Sequence, residues 1–176
     1  MEIKVYDLNY LPMNYKAATL KWRFLLSFLL IALLSVGQKN KIPPFSIRKI
    51  DGKIFNAREL PINKPVILVY FSPDCDHCKR MMTDLEKRSD DLKNTSITMI
   101  TYLPPSEVSK FAKDYNISKY PFIYIGTEGT TYFVRDYFKL VQMPFLALYN
   151  KKGEMVTHYE REIPFDELVK QVKKLI

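Results

Sequence analysis

The sequence is poor in the residues that organise irregular or metal-stapled chains. Among 176 residues glycine occurs 5 times, tryptophan once, and cysteine and histidine twice each. Scarce glycine, with no stretch dominated by a few residue types, excludes collagen-like and low-complexity architectures. No self-similar period appears, which excludes solenoids and propellers. Two cysteines leave material for one bridge at most. Two cysteines and two histidines are also a thin donor set for zinc, which usually takes four ligands, and His158 stands far along the chain from Cys75, His77 and Cys78. Clustered positive charge is missing too. Half of the net +8 lies in the first 41 residues, where Lys4, Lys16, Lys21, Arg23, Lys39 and Lys41 oppose Glu2 and Asp7. The remainder is spread without a basic stripe interleaved with stacking aromatics, so nucleic acid is not an expected partner.

What is present is apolar: 47% hydrophobic and 14% aromatic residues, enough for one well-filled core in a chain too short for two ordinary domains. A hydrophobic run of full bilayer length, about 20 residues, is lacking, but residues 24–36, FLLSFLLIALLSV, follow Lys16, Lys21 and Arg23. A basic flank before such a stretch reads as an export signal. Cleaved, it is a signal peptide; uncleaved, it is an anchor that leaves the rest of the chain outside the cytoplasm. No small-x-small cleavage site is evident after it, and no cysteine near its end suggests a lipoprotein. The long flank before it makes Met13 an alternative start to Met1. A buried core helix is the bland reading, opposed by the absence of any polar stripe. Residues 1–41 are thus expected to be flank and signal peptide or signal anchor, and 42–176 the folded domain.

Within 42–176, Asp51-Gly52 sits between two alternating runs and predicts a hairpin. Residues 65–71, PVILVYF, form a continuous apolar run expected of a strand buried on both faces. Met81, Met82, Leu85 and Leu92 recur near helical spacing in a helix predicted to start at or just before Cys75. A strand over 97–103 and a helix over 106–115 follow, which implies parallel pairing. A further strand is predicted over 121–125 and a short helix over 130–140. Residues 145–149 and 154–159 read as an antiparallel hairpin, and Phe165, Leu168, Val169, Val172 and Leu175 stripe a closing helix.

The chemistry is concentrated in FSPDCDHCKRM, where a buried strand exits through Ser72-Pro73-Asp74 and Cys75-Asp76-His77-Cys78 opens a helix. Two thiols separated by two residues on a first helical turn can close a small-ring disulfide without unfolding anything. The unsatisfied N–H groups and the dipole at that terminus favour a thiolate at Cys75, making it the expected nucleophile. Cys78, deeper in the helix, is the expected resolving thiol. The dithiol is itself the redox centre, so no cofactor is required and no metal is assigned. The bland alternatives are half of a metal site or two structural thiols.

Over roughly residues 42–176 the chain resembles the thioredoxin superfamily, and within it the exported TlpA/ResA-like thiol–disulfide oxidoreductases. The resemblance rests on the lead-in IPPFSIRKIDGKIF, the strand VILVYF before CDHCK, the proline in VQMPFLALYN, the hairpin NKKGEMV and the final helix, taken together. It implies an α/β thioredoxin fold, a central mixed sheet flanked by helices, with the amino-terminal signal or anchor helix in front. It also implies a cis Met143-Pro144 bond beside the cysteines, with the Met143 backbone pairing with an extended partner protein; a proline opening a strand is also an ordinary structural choice.

The departures from the family pattern bear on function. Val69 stands where cytoplasmic thioredoxins carry a buried Asp, Asp74 replaces the usual tryptophan, and Asp76-His77 replaces Gly-Pro. A protonated His77 favours the Cys75 thiolate and a more oxidising disulfide, whereas Asp74 and Asp76 push the other way. The expected partners are protein thiols and disulfides in the periplasm or another extracytoplasmic space, with the membrane added if the amino-terminal segment stays. The expected direction is reduction; the alternatives are an oxidase or isomerase of the same fold and a copper-delivery module. A thiol peroxidase is opposed by Leu68, which occupies the place of the proline that peroxiredoxins require.

Overall fold

The computed structural model describes residues 41–61 and 63–176. The expected signal or anchor segment lies outside the described residues. Among the described residues no helix is long and apolar enough to cross a membrane.

The first hairpin pairs β1 (Ser46–Lys49) with β2 (Ile54–Asn56), as the Asp51-Gly52 signal predicts. Gly52 supplies the turn's positive φ of 80°, and the Asp51 carboxylate accepts from the Lys53 N–H at 3.1 Å. Next, β3 (Val66–Tyr70) is buried at every position and runs into α1 (Asp76–Lys87). In α1, Cys78, Met81, Met82 and Leu85 fall at i, i+3, i+4 and i+7 and form its buried stripe. The helical path breaks at Arg88, and a single turn, α2 (Ser89–Leu92), carries Leu92 into the core. The predicted single helix is therefore two. Arg88 sits at the junction, where its guanidinium bonds both Asp91 and Asp166.

The chain then alternates through β4 (Ser96–Thr101), α3 (Pro105–Asp114) and β5 (Ile123–Thr127). Pro105 opens α3 at a position where a missing N–H costs nothing. Strand β5 starts later than predicted because Tyr120-Pro121-Phe122 turns first, the Ile123 N–H donating to the Tyr120 carbonyl at 3.0 Å. The helix predicted over 130–140 is divided. A 3-10 turn, Gly129–Thr131, gives way at Tyr132, whose φ is +47°, and α4 spans only Phe133–Phe138 before Lys139 ends it at φ +54°. Finally β6 (Phe145–Tyr149) and β7 (Met155–Glu160) form the predicted hairpin, and α5 (Phe165–Lys173) buries Phe165, Leu168, Val169 and Val172.

These strands make one mixed seven-stranded sheet in the order β2-β1-β5-β4-β3-β6-β7. Strand β3 lies parallel to β4 and antiparallel to β6, and β4 lies parallel to β5. The first hairpin joins through β1, antiparallel to β5, a pairing that no local sequence signal announces. Gly126 makes that junction possible, since a Cβ there would stand 2.6 Å from the Arg48 carbonyl oxygen.

Alternating residues of β3 divide the core. Ile67, Val69 and Phe71 pack with α1, α2, α3 and α5 on one face, while Leu68 and Tyr70 pack with Phe45, Ile47, Val134 and Tyr149 on the other. The carboxy-terminal end of central β3 consequently aims Ser72-Pro73-Asp74 at the start of α1, and the start of adjacent β6 brings Met143-Pro144 alongside. The α/β architecture with a central mixed sheet and flanking helices is the predicted thioredoxin fold.

Candidate active site

Cys75 caps α1. Its backbone is extended (φ −81°, ψ 121°), its carbonyl accepts the Lys79 N–H at 3.0 Å, and its Sγ accepts the Cys78 N–H at 3.4 Å. The sulfur therefore replaces the oxygen that serine, threonine or aspartate usually contributes at this position. The Cys78 N–H that this sulfur caps is one of the helix-terminal donors without a partner inside the helix. The loop that delivers Cys75 is tight, the Cys75 N–H donating to the Ser72 carbonyl at 3.1 Å.

The two thiols occupy different environments. Cys75 is half-buried and Cys78 is fully buried among Val69, Phe71 and Met81. Burial pushes the Cys78 thiol far above the ordinary thiol range, and the interaction with the Cys75 sulfur adds to the shift. Val69 is itself fully buried, so the position beneath the thiols offers no carboxylate to take the Cys78 proton.

Across from the sulfurs the Met143-Pro144 peptide bond is cis, and the Met143 carbonyl oxygen lies 3.4 Å from Cys75 Sγ, which donates to it as a thiol. Met143 packs against both halves of the core, and Pro144 is buried at the start of β6. Cys75, Cys78 and the Met143-Pro144 corner are thus brought together from segments 65 residues or more apart in the sequence.

Asp76 and His77 stand on the exposed side of the first turn. Asp76 is engaged by Lys79 at 3.2 Å. The contacts of the His77 ring are two guanidinium groups: Arg80 Nη2 lies 2.6 Å from Nδ1 and Arg161 Nε lies 3.4 Å from Nε2. Helical spacing makes the Arg80 contact readable in the sequence. Arg161, after β7, carries no local signal. The other histidine, His158, lies on β7 with its ring against Phe145, apart from the cysteines. Among the described residues no group of three His, Cys, Asp or Glu side chains is placed to hold a metal ion.

Residues 38–164 match the model of the AhpC/TSA family. Among curated proteins, bovine protein disulfide-isomerase A5 is 27% identical over 73 residues, covering 42% of this chain and 14% of its own length, so the chain corresponds to a small part of that relative. Among solved structures, a secreted disulfide oxidoreductase of Mycobacterium tuberculosis, described as homologous to E. coli DsbE, superposes with a TM-score of 0.63 at 18% identity, covering 75% of this chain and 96% of that one. A thiol-disulfide oxidoreductase from Bacteroides fragilis gives a TM-score of 0.64 at 16% identity, covering 77% and 99%. These likenesses show the thioredoxin fold, and with the family match extending over most of the folded region, the chain belongs to the AhpC/TSA family.

Proposed function

We propose that this protein is a thiol–disulfide oxidoreductase that reduces disulfides of partner proteins, with Cys75 as nucleophile and Cys78 as resolving thiol. The observation that carries the reading is the asymmetry of the pair: one accessible sulfur held as a helix cap, one buried sulfur three residues along. In the first step the Cys75 thiolate attacks a partner disulfide, one S–S bond breaks as the mixed disulfide forms, and a partner thiolate leaves. In the second, Cys78 gives up its proton and attacks Cys75 Sγ, and the other partner thiolate departs. Two electrons and two protons pass to the partner, and the Cys75–Cys78 disulfide remains. The Met143-Pro144 corner positions an extended stretch of partner against Cys75, through the same Met143 carbonyl that the thiol contacts in the reduced protein.

The reducing direction follows the resemblance to the TlpA/ResA-like oxidoreductases, and the charges around the dithiol are of both signs. An oxidising member of this fold stabilises its reduced form by stabilising a thiolate. Here burial opposes ionisation of Cys78, and Asp74 and Asp76 add negative charge at the turn holding Cys75. Lys79, Arg80 and Arg161 supply opposing positive potential. A reduction potential near about −270 mV supports reduction; one near about −120 mV moves the protein to the oxidase reading.

The apolar stretch 24–36 behind its basic flank supports a location outside the cytoplasm, as signal peptide or anchor, with 42–176 as the exchange domain. Replacing Cys75 with serine tests the central reading. Insulin-disulfide reduction should disappear, and full retention of activity rejects it.

A further inference from the structure

The recess between the start of α1 and the segment after β7 holds about 280 Å³ and is lined by His77, Arg80, Asp84, Arg161 and Glu162, among others. Its two guanidinium groups both face the imidazole of His77. A guanidinium keeps its proton and only donates, and a neutral imidazole has one acceptor nitrogen, so the ring satisfies at most one of them. Neither guanidinium forms an ion pair with a carboxylate among the described residues. Asp84 is held by Lys87 at 3.1 Å, and Glu162, though it lines the recess, lies beyond ion-pair range of both arginines. Two donor forks thus converge on a concave surface whose two carboxylates, Asp84 and Glu162, form no ion pair with either of them.

The recess is also tied to the dithiol. Arg161 N–H donates to the Pro144 carbonyl at 2.7 Å, so its backbone is one hydrogen bond from the corner that contacts Cys75. Arg161 has a φ of +64°, a conformation an L-residue adopts only at a cost. Arg80 is on the helix that Cys75 caps, on the turn after His77. An extended partner lying along Met143-Pro144 therefore passes beside both cations.

Resting on the exchange reading above, we propose that Arg80 and Arg161, with His77 between them, recognise a carboxylate close to the reactive disulfide of the partner. The selected substrates are disulfides flanked by aspartate or glutamate. Guanidinium groups suit this role because their planar forks bind carboxylates in a bidentate manner. On this reading they are specificity residues and leave the sulfur chemistry to Cys75 and Cys78.

The test uses two synthetic peptides that carry the same intramolecular disulfide, one flanked by glutamates and one by lysines, with neutral hydroxyethyl disulfide as a third substrate. For the reduced wild-type protein, kcat/KM should favour the acidic peptide by about five- to tenfold at low salt. That ratio should fall toward one in an Arg80→Gln, Arg161→Gln double variant and invert in an Arg80→Glu, Arg161→Glu variant. Because the readout is a ratio within each protein, a general loss of activity cancels, and the inversion expected of the Glu variant is an outcome that unfolding cannot produce. Equal rates for the two peptides with the wild type, or a preference that survives both variants, overturns the proposal while exchange with hydroxyethyl disulfide leaves the underlying function standing. Failure of the wild type to exchange with hydroxyethyl disulfide removes that function and the docking site with it.

Discussion

The two faces of the sheet are built on different principles. One is covered by α1, α2, α3 and α5, whose buried stripes interlock with Ile67, Val69, Ile97 and Met99 in an almost wholly apolar layer that includes Cys78. The other is covered by the short α4 and the segment around β1 and β2, and it depends on named polar contacts. There the buried Glu128 carboxylate accepts from the Tyr70 hydroxyl at 2.7 Å and from the Val134 N–H at 2.8 Å. The same layer buries the Tyr149 hydroxyl without a hydrogen-bond partner among the described residues. The helix that Cys75 caps is thus anchored in the thick, non-directional layer, while the thinner layer is specified by geometry.

Truncation on the thick face should have the largest effect. Leu168→Ala removes a fully buried side chain from α5 and is expected to lower unfolding free energy by about 3 kcal/mol, measured by denaturant titration. A cost below about 1 kcal/mol would mean that this layer is looser than described.

On the thin face the polar contact replaces bulk. Glu128→Ala leaves the Tyr70 hydroxyl and the Val134 N–H of α4 without their acceptor, for an expected loss of about 2 kcal/mol. Amide exchange at Val134 should accelerate at the same time. Unchanged exchange there would separate α4 from the carboxylate.

Cys78 gives the thick face a pH signature. Its folded-state pKa is raised, mainly by burial, so the folded protein keeps a proton that the unfolded chain releases at about pH 8.5. This stabilising contribution is complete below that pH and is lost as pH rises, by up to about 1.4 kcal/mol per unit. Under reducing conditions the wild type should lose stability between about pH 8.5 and 10 more steeply than Cys78→Ala. Parallel profiles would contradict the buried-thiol environment.

The smallest effect concerns Tyr149. Burial pushes its phenol pKa upward, and its hydroxyl finds no acceptor or donor, so Tyr149→Phe should stabilise the protein by about 1 kcal/mol. Destabilisation would show that the hydroxyl has a partner.

The same contrast explains what could be read from the sequence. The thick face is legible because periodicity reports it: the stripe Cys78, Met81, Met82, Leu85 in α1 and the stripe in α5 are local patterns. The strand-to-helix placement of Cys75 is likewise local, since β3 is continuously apolar and the CxxC follows within a few residues. The division of the 130–140 helix is not legible. It depends on the left-handed backbone of Tyr132 and on a carboxylate six residues before the N–H it accepts. Nor is the setting of His77 fully legible, because Arg161 arrives 84 residues later through the β6–β7 hairpin. Sequence spacing reports what a single element does, and side chains meeting across elements are found only in three dimensions.

The most direct test of the account is a redox titration of the folded domain with dithiothreitol, quenched with a maleimide and read by mass. The account predicts one reversible two-electron transition that places both Cys75 and Cys78 in the oxidised form together. It also predicts that Cys78→Ser yields no internal disulfide and instead holds partner proteins as mixed disulfides through Cys75. Failure of the wild-type sulfurs to interconvert, or accumulation of mixed disulfides by Cys75→Ser in place of Cys78→Ser, would contradict it.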